Sequence, residues 1–243
     1  AFLAQGTLLS LAMGTMTGIY AAALAFLARD FNRSLMRNFR QQVEFQSLTA
    51  GLEQEIRRRE SAERELSHLA RHDTLTGLPN RATFFERLRL EIGRAKRGET
   101  RFAVHYVDLD DFKKVNDSYG HHVGDRLLVA IATELVQSVR QVDLVARLGG
   151  DEFAVVQAGI SVPAQAESLA AKLIERIEKP CPIEGSSIGV TASIGIALYG
   201  PDVADADAIV ERADIAMYTA KAEGRRRYRL YDADCVAPAV RER

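Results

Sequence analysis

Residues 144–156 read Leu-Val-Ala-Arg-Leu-Gly-Gly-Asp-Glu-Phe-Ala-Val-Val, two apolar runs of strand length separated by a pair of glycines. Glycine adopts the positive φ angles that a tight turn requires, so this pattern predicts a β-hairpin formed by Leu144–Leu148 and Glu152–Val156. The turn places the acidic residues Asp151 and Glu152 next to each other at the start of the second strand. A Gly-Gly-Asp turn is also an ordinary structural feature, so its meaning depends on what lies beside it.

A second acidic cluster follows Phe102–Val107, an apolar segment that predicts a buried strand. Asp108 and Asp110 stand at the end of that strand, where an α/β sheet presents side chains to a ligand. Such a pair of carboxylates persists when a cation neutralises it, and hard oxygen ligands suit Mg²⁺. Metal-ion catalysis of phosphoryl transfer needs carboxylates that converge from two places, which this strand and the hairpin would supply. The alternative is an ordinary solvated strand end.

The remaining segments alternate between helical and extended patterns. They predict one α/β (α+β) domain over residues 72–233, followed by a tail over residues 234–243. The predicted helices cover Arg81–Lys96, His121–Val139, Pro163–Ile177 and Ala204–Lys221, and the further strands cover Ile188–Leu198 and Tyr228–Tyr231.

The composition fits such a domain and limits its partners. The chain has 243 residues, of which 47% are apolar and 27% charged, as in an ordinary globular protein. Its net charge of −1 gives no support for binding to a phosphate backbone, so we expect no nucleic-acid partner. Cys181 and Cys235 fit neither a metal-ligand spacing nor a disulfide framework, which favours a reducing cytosolic compartment.

The first 28 residues carry no charged side chain, and about 20 apolar residues suffice to cross a hydrocarbon core about 30 Å thick. This stretch predicts a transmembrane helix over residues 1–28, with the lipid bilayer as a partner. The arginines that follow it, beginning at Arg29, predict that the rest of the chain lies on the cytoplasmic side of the membrane. A signal peptide cleaved near Ala25 is the alternative. The spacing of Gly14 and Gly18 would allow two such helices to approach closely.

Residues 29–71 are highly charged and contain no proline, which predicts a long connector helix. In one heptad frame the apolar residues occupy the core of a parallel two-stranded coiled coil, although Glu55 and Arg59 then fall in the same seam. The alternative is a single solvated helix. The apolar positions of this frame are Phe45, Leu48, Leu52, Ala62, Leu66 and Leu69.

If the two acidic clusters hold metal ions against a nucleoside triphosphate, the phosphates of that ligand would also need cationic partners. The sequence has no GxxxxGK[ST] loop to cradle these phosphates. Lys113, Lys221 and Arg225 are the candidate partners. Lys221 and Arg225 are four residues apart and share a face if the last predicted helix continues that far. Basic residues at a helix C-terminus can also serve only to complement the helix dipole.

Taken together, these residues resemble the GGDEF-domain diguanylate cyclases of bacteria. The resemblance implies that the membrane crossed by residues 1–28 would be the bacterial inner (cytoplasmic) membrane. The resemblance implies a fold related to the nucleotidyl cyclase and polymerase palm domains, with a central mixed, largely antiparallel sheet flanked by helices. It also implies that two GTP molecules are condensed into cyclic di-GMP, with loss of two pyrophosphates. The similar blocks are Asp73–Arg81, Asp108–Lys113, Asn116-Asp117, Gly120-His121, Gly124-Asp125, Arg147–Phe153, Ala220-Lys221 and Gly224-Arg225.

The resemblance assigns roles to particular positions. Asp108 and Asp151, assisted by the carbonyl group of Leu109, would bind Mg²⁺ (or Mn²⁺). Asn116 and Asp125 would read the guanine edge, since an amide can donate to guanine acceptors and a carboxylate can accept from its N1 and N2 donors.

Further roles concern the phosphates and the chemical step. Phe112 and Lys113 would meet the phosphates near the start of a short helix, where free backbone N–H groups favour anions. Lys221 and Arg225 would neutralise the β- and γ-phosphates. Glu152 would assist deprotonation of the ribose 3′-hydroxyl, or else bind metal together with the other catalytic carboxylates.

The resemblance implies that two copies of the domain face each other, because one domain alone cannot close the ring; the chain would act as a homodimer. Arg140 and Asp143 form an RxxD motif at the position of the family's allosteric site, where cyclic di-GMP inhibits its own synthesis. An ion pair at a helix end is the alternative for this motif.

The sequence departs from the family pattern at Asp111, His122 and Arg226, none of which is a proposed ligand. An active enzyme is therefore expected. The alternatives are a catalytically silent GGDEF receptor that binds GTP or cyclic di-GMP, and a cyclase that makes another purine product. Silent members usually lose the Gly-Gly-[Asp or Glu]-Glu-Phe residues, which are all present here, and Asn116 and Asp125 argue against another purine.

Overall fold

The computed structural model of the chain describes residues 2–98, 100–232 and 235. It divides into two compact units, Ala1–Glu65 and Leu66–Arg243. The predicted tail over residues 234–243 lies outside the described residues, apart from Cys235. Within the first helix, the structure leaves undescribed the side chains of residues 2–12, 43, 44, 46–50, 52, 53, 60 and 62–68.

The first helix, α1, runs without a break from Phe2 to Arg71. Among the described residues, no helix is both long enough and apolar enough to span a lipid bilayer. This finding contradicts the predicted inner-membrane location. The transmembrane helix predicted over residues 1–28 lies partly outside the described residues, because residue 1 and the side chains of residues 2–12 are not described. In the described part of this stretch, glycines and threonines interrupt the apolar side chains from Met13 onward, and Arg29 and Asp30 end the run.

The coiled coil predicted over residues 29–71 stays a prediction. Leu48, Leu52, Ala62 and Leu66, on which its heptad frame depends, lie outside the described side chains.

The second unit is built on a five-stranded sheet in the order β2-β3-β1-β6-β7. β1 pairs antiparallel with β3 on one side and with β6 on the other, and β7 alone runs parallel to its neighbour β6. The prediction of a central, largely antiparallel sheet is thus confirmed. The strands are β1 (Phe102–Asp110), β2 (Leu144–Gly149), β3 (Glu152–Ala158), β4 (Cys181–Ile183), β5 (Ser186–Ile188), β6 (Thr191–Leu198) and β7 (Tyr228–Leu230).

Helices cover both faces of this sheet, so β1 is buried along its whole length. The helices are α2 (Arg81–Lys96), α3 (Phe112–Tyr119), α4 (His121–Ser138), α5 (Pro163–Ile177) and α6 (Ala206–Ala222). Successive side chains of a strand point to opposite faces. Val107 accordingly packs with the α4 and α5 side of the core, and Tyr106 packs with the α2 and α6 side.

Gly195 on β6 fixes how closely α6 can approach the sheet. A Cβ atom at this position would overlap the carbonyl oxygen of Ala213 and the backbone of Met217, both on α6. Because glycine has no Cβ, the backbone of α6 lies directly against the strand, and the end of α6 comes to the end of β1.

The predicted strand Ile188–Leu198 is broken in the structure. Ser186–Ile188 pairs with Cys181–Ile183 as a separate small hairpin, and the sheet strand begins only at Thr191. The two strands of this hairpin are three residues long, too short for alternation to reveal them in the sequence.

Candidate functional site

The turn after β2 lies beside the end of β1. Asp108 is the register partner of Glu152, and the backbone N–H of Leu109 donates to the carbonyl oxygen of Asp151 at 3.3 Å. The two acidic clusters that are separate in the sequence therefore share one edge of the sheet.

The conformation of this turn depends on its glycines and on one arginine. Gly149 and Gly150 have φ angles of 150° and 51°, in the region that favours glycine. The guanidinium group of Arg147 donates twice to the carbonyl oxygen of Gly150, at 3.0 and 2.7 Å, and once to the Asp73 carboxylate, at 2.9 Å. Arg147 thereby ties the turn to the loop that precedes α2.

Asp73, the partner of Arg147, is held in its charged form. Burial alone would raise the pKa of its carboxyl group, but hydrogen bonds from Thr76 and Arg147 outweigh burial, so the pKa is lowered. No local sequence pattern indicates this pairing, because 74 positions separate Arg147 from Asp73 in the chain.

Asp108 is the most perturbed carboxylate of the site. It is 6% exposed, and its Oδ1 atom lies 2.6 Å from the Nζ atom of Lys221. Burial raises its pKa to about 6; Lys221 acts against this rise, and the charges of Asp151 and Glu152 add to it. Three acidic groups thus converge on one place, and a lysine at the end of α6 partly neutralises them.

Asp110 differs from Asp108 despite its position two residues further along the same strand. Its carboxylate accepts hydrogen bonds from the hydroxyl groups of Thr191 and Ser193, both at 2.7 Å, and from the backbone N–H of Arg226 at 3.2 Å. The prediction that Asp108 and Asp110 form one cation-binding pair is therefore not supported. β6 supplies two hydroxyl groups that occupy Asp110 and leave Asp108 as the acid facing the hairpin turn.

The donor set at this edge fits a divalent cation that also binds phosphate. No group of three or more His, Cys, Asp or Glu side chains in the described part of the chain forms a complete metal site. Mg²⁺ usually takes only one or two carboxylates and fills its other positions with water and phosphate oxygens. Asp108, Asp151 and the carbonyl group of Leu109 match that requirement, and the close ion pair of Asp108 with Lys221 indicates that the place attracts positive charge.

Glu152 is positioned by a residue that the sequence analysis missed. The hydroxyl group of Tyr106 donates to the Oε2 atom of Glu152 at 3.0 Å. Tyr106 lies two positions before Asp108 on a buried strand and therefore faces the same side of the sheet. That period of two is a signal by which it could have been found.

The two predicted guanine-reading residues come together where α3 meets α4. Asn116 lies on α3, and Asp125 lies just after the first turn of α4, next to Gly124. A Cβ atom on Gly124 would overlap the side-chain oxygen of Asn116, so this glycine makes room for the amide group. A cavity of about 460 Å³ lies beside Asp125 and is bordered by Leu75.

The predicted phosphate-binding residues lie on two elements. Phe112 and Lys113 begin α3 immediately after β1; Phe112 is buried and Lys113 is exposed. Lys221 lies in the last turn of α6, and Arg225 is exposed in the loop that follows it. Among these residues, the described contacts join Lys221 to the carboxylate cluster.

Arg140 and Asp143 lie at the opposite end of the β2–β3 hairpin from the glycine turn. The two charged groups form an ion pair with an N–O distance of 3.3 Å, and the Asp143 side chain is 2% exposed. The carboxylate also accepts from the backbone N–H of Arg140 at 3.0 Å and of Ala158 at 3.1 Å. These contacts are those of the helix-end ion pair described above, and product binding at this motif stays a prediction.

Comparison with known proteins identifies relatives of this architecture. The family described as "Diguanylate cyclase, GGDEF domain" matches residues 70–227. The chain is 47% identical over 178 residues to the bifunctional diguanylate cyclase/cyclic di-GMP phosphodiesterase MucR of Pseudomonas aeruginosa, a match that covers 73% of this chain and 26% of MucR. It is 42% identical over 211 residues to the diguanylate cyclase TpbB of the same species, covering 86% of this chain and 45% of TpbB. The chain thus spans less than half of either relative.

Solved structures show the same fold. The GGDEF domain of TpbB from Pseudomonas aeruginosa matches with a TM-score of 0.63 and 44% identity, covering 66% of this chain and 94% of that one. The coiled coil and GGDEF domain of DgcB from Caulobacter crescentus, solved in complex with c-di-GMP, matches with a TM-score of 0.69 and 25% identity, covering 76% of this chain and 98% of that one.

Proposed function

Because this chain belongs to the GGDEF domain family of diguanylate cyclases, we propose that it condenses two molecules of GTP into cyclic di-GMP and releases two pyrophosphates. One observation carries the proposal: Asp108, Glu152 and Lys221 meet at the edge of the sheet beside Asp151. GGDEF diguanylate cyclases generally use divalent metal ions. The charge and the oxygen donors of this edge suit a metal-bound triphosphate.

The proposed metal ligands are Asp108, Asp151 and the carbonyl group of Leu109, with Mg²⁺ or Mn²⁺ as the ion. When bound, the ion would neutralise charge on the triphosphate and on the reacting phosphate. Lys221 would then leave Asp108 and turn to the phosphates, because its ammonium group and the metal ion compete for the same carboxylate.

GTP would be oriented from both ends. Asn116 and Asp125 would hydrogen-bond the guanine edge. Lys113, Lys221 and Arg225 would neutralise the β- and γ-phosphates. The backbone at Phe112 would approach them at the beginning of α3, where unpaired N–H groups favour anions.

Glu152 is the proposed general base. It would accept the proton of the ribose 3′-hydroxyl, and the 3′-oxygen would form a bond to the α-phosphorus of the other GTP. The bond from that phosphorus to the bridging oxygen breaks, and pyrophosphate leaves with the electron pair. The step occurs once on each nucleotide, which closes the ring. The hydrogen bond from Tyr106 would orient the Glu152 carboxylate for this transfer.

Ring closure would require two copies of the domain, because each site binds one GTP and the two 3′-oxygens attack in opposite directions. The α1 helix would hold two copies at a high effective concentration. Arg140 and Asp143 would bind cyclic di-GMP and inhibit the enzyme. The side chain of Arg140 is 56% exposed, and the planar fork of its guanidinium group suits guanine or phosphate acceptors.

Incubation of the chain with Mg²⁺ and either GTP or ATP, followed by chromatographic separation of the nucleotides, tests the proposed reaction. We expect cyclic di-GMP and pyrophosphate from GTP and no cyclic dinucleotide from ATP. Binding of GTP without turnover would instead favour a silent receptor, and a cyclic product from ATP would contradict the roles of Asn116 and Asp125.

A further inference from the structure

The loop that follows α6 has an unusual backbone. Gly224, Arg225 and Arg226 have φ angles of 116°, 61° and 52° in succession. Two of these residues carry side chains, and the left-handed region disfavours side chains because of steric contact with the backbone. Such a conformation persists only where surrounding contacts fix it, and strained residues of this kind concentrate at functional sites.

Asp110 supplies one of the contacts that fix the loop. Its Oδ2 atom accepts from the backbone N–H of Arg226, and its two carboxylate oxygens also accept from the hydroxyl groups of Thr191 and Ser193. Asp110 is 6% exposed, and β6 holds it from the neighbouring strand. The carboxylate therefore links the centre of the sheet to the strained loop.

Two further contacts hold the loop on either side. The guanidinium group of Arg226 pairs with both oxygens of Glu178, at 2.6 and 2.8 Å. The backbone N–H of Ile194 donates to the carbonyl oxygen of Arg227 at 2.9 Å. Arg226 through its side chain and Arg227 through its backbone carbonyl group thus anchor the loop. Arg225 lies between α6 and these two anchors, and its side chain is exposed, as are those of Arg226 and Arg227.

We propose that Asp110 is a positioning residue for Arg225: it holds the left-handed loop so that the Arg225 guanidinium group meets the terminal phosphates of GTP. This inference rests on the proposed function. A carboxylate suits the task because two oxygens can accept all three donors at once, whereas an asparagine has a single acceptor oxygen and would turn an N–H₂ group toward one of the donors.

The test compares nucleotides that differ only in their phosphates. Binding of GTP and GMP is measured by calorimetry with Ca²⁺ in place of Mg²⁺ for wild type, Asp110→Asn, Arg225→Ala and the double variant. We expect Asp110→Asn to weaken GTP binding roughly tenfold, as for a misplaced charge-assisted contact, with GMP binding unchanged. The double variant should bind GTP no more weakly than Arg225→Ala alone, because both changes remove the same contact.

Glu178→Gln weakens the contact of Arg226 without changing β1, so it provides a test even if Asp110→Asn folds poorly. It should weaken GTP binding less than Asp110→Asn does and leave GMP binding unchanged. Glu175→Gln, a change at an exposed position in the last turn of α5 and three residues before Glu178, is the matched control and should bind both nucleotides as wild type does. Equal losses for GTP and GMP, or additive losses for Asp110 and Arg225, would overturn the positioning role. A wild-type chain that binds no GTP would instead refute the proposed function itself.

Discussion

Replacing Asp108 by asparagine should remove the candidate metal site and at the same time stabilise the fold. The side chain is 8% exposed, and its ionised form is disfavoured by burial and by the neighbouring acids Asp151 and Glu152. Asparagine has nearly the same shape but carries no charge, so the variant resembles the protonated aspartic acid. In buffer without metal or nucleotide, the wild-type protein should therefore be the less stable of the two at neutral pH.

The magnitude and its sign follow from the pKa of Asp108. That pKa is raised from 3.8 to about 6, so the folded state binds the proton more tightly than the unfolded state does. The loss of folding free energy caused by ionised Asp108 is absent well below pH 3.8, grows as the pH rises, and is complete above pH 6. At about 1.4 kcal/mol per pKa unit it reaches about 3 kcal/mol, and about half of it develops between pH 5 and pH 8.

The assay is urea unfolding at pH 5 and pH 8 in the presence of a chelator. The Asp108→Asn variant should exceed the wild type in free energy of unfolding by about 3 kcal/mol at pH 8, and by about half of that at pH 5. Glu175→Gln removes an exposed carboxylate and should show no such pH-dependent difference. Added Mg²⁺ should stabilise the wild type but not the Asp108→Asn variant, because only the wild type keeps the carboxylate ligand.

An Asp108→Asn variant that is less stable than the wild type at both pH values would refute this reasoning. It would mean that the ion pair with Lys221 more than offsets the burial of the charge.

Three further predictions concern the reaction. Gly124→Ala should raise KM for GTP roughly tenfold, because the added Cβ atom displaces the Asn116 amide. Gly93→Ala is the control: its Cβ atom meets only the flexible end of an arginine, so KM should stay unchanged and the helix should gain up to about 1 kcal/mol of stability. An unchanged KM in both variants would exclude the Asn116 amide from guanine binding. Glu152→Gln should lower kcat by a factor of roughly 100 or more while GTP binding, followed by calorimetry, persists; unaltered kcat would exclude it as the base. Arg140→Ala should raise the inhibition constant for added cyclic di-GMP at least roughly tenfold, and equal inhibition of variant and wild type would exclude the product site.

Local patterns in the sequence predicted the sheet well. The hairpin around Gly149-Gly150 and the buried strand before Asp108 are confirmed, because alternation, turn glycines and strand length are local properties. The inner-membrane location was wrong because it depended on the absence of charge over residues 1–28, whereas glycines and threonines dilute the apolar character of the part of that stretch that the structure describes.

The contact partners of individual side chains could not be predicted from the sequence. Asp108 and Asp110 look equivalent two positions apart, yet Thr191 and Ser193, more than 80 positions away, occupy one and not the other. The period of two along β1 places Tyr106 on the same face as Asp108, but the contact of Tyr106 with Glu152 also depends on strand register across the sheet. Register is set by the packing of the whole domain, so no short pattern reveals it.

Synthesis of cyclic di-GMP by two copies of the domain is tested most directly by the rate of its formation per mole of protein, measured with GTP and Mg²⁺ over a roughly hundredfold dilution of the chain. If two copies each contribute one GTP, the product is cyclic di-GMP, and the specific activity falls in proportion to concentration once the dimer dissociates. Absence of cyclic di-GMP from a demonstrably dimeric sample, or a specific activity that stays constant in a demonstrably monomeric one, would contradict the account.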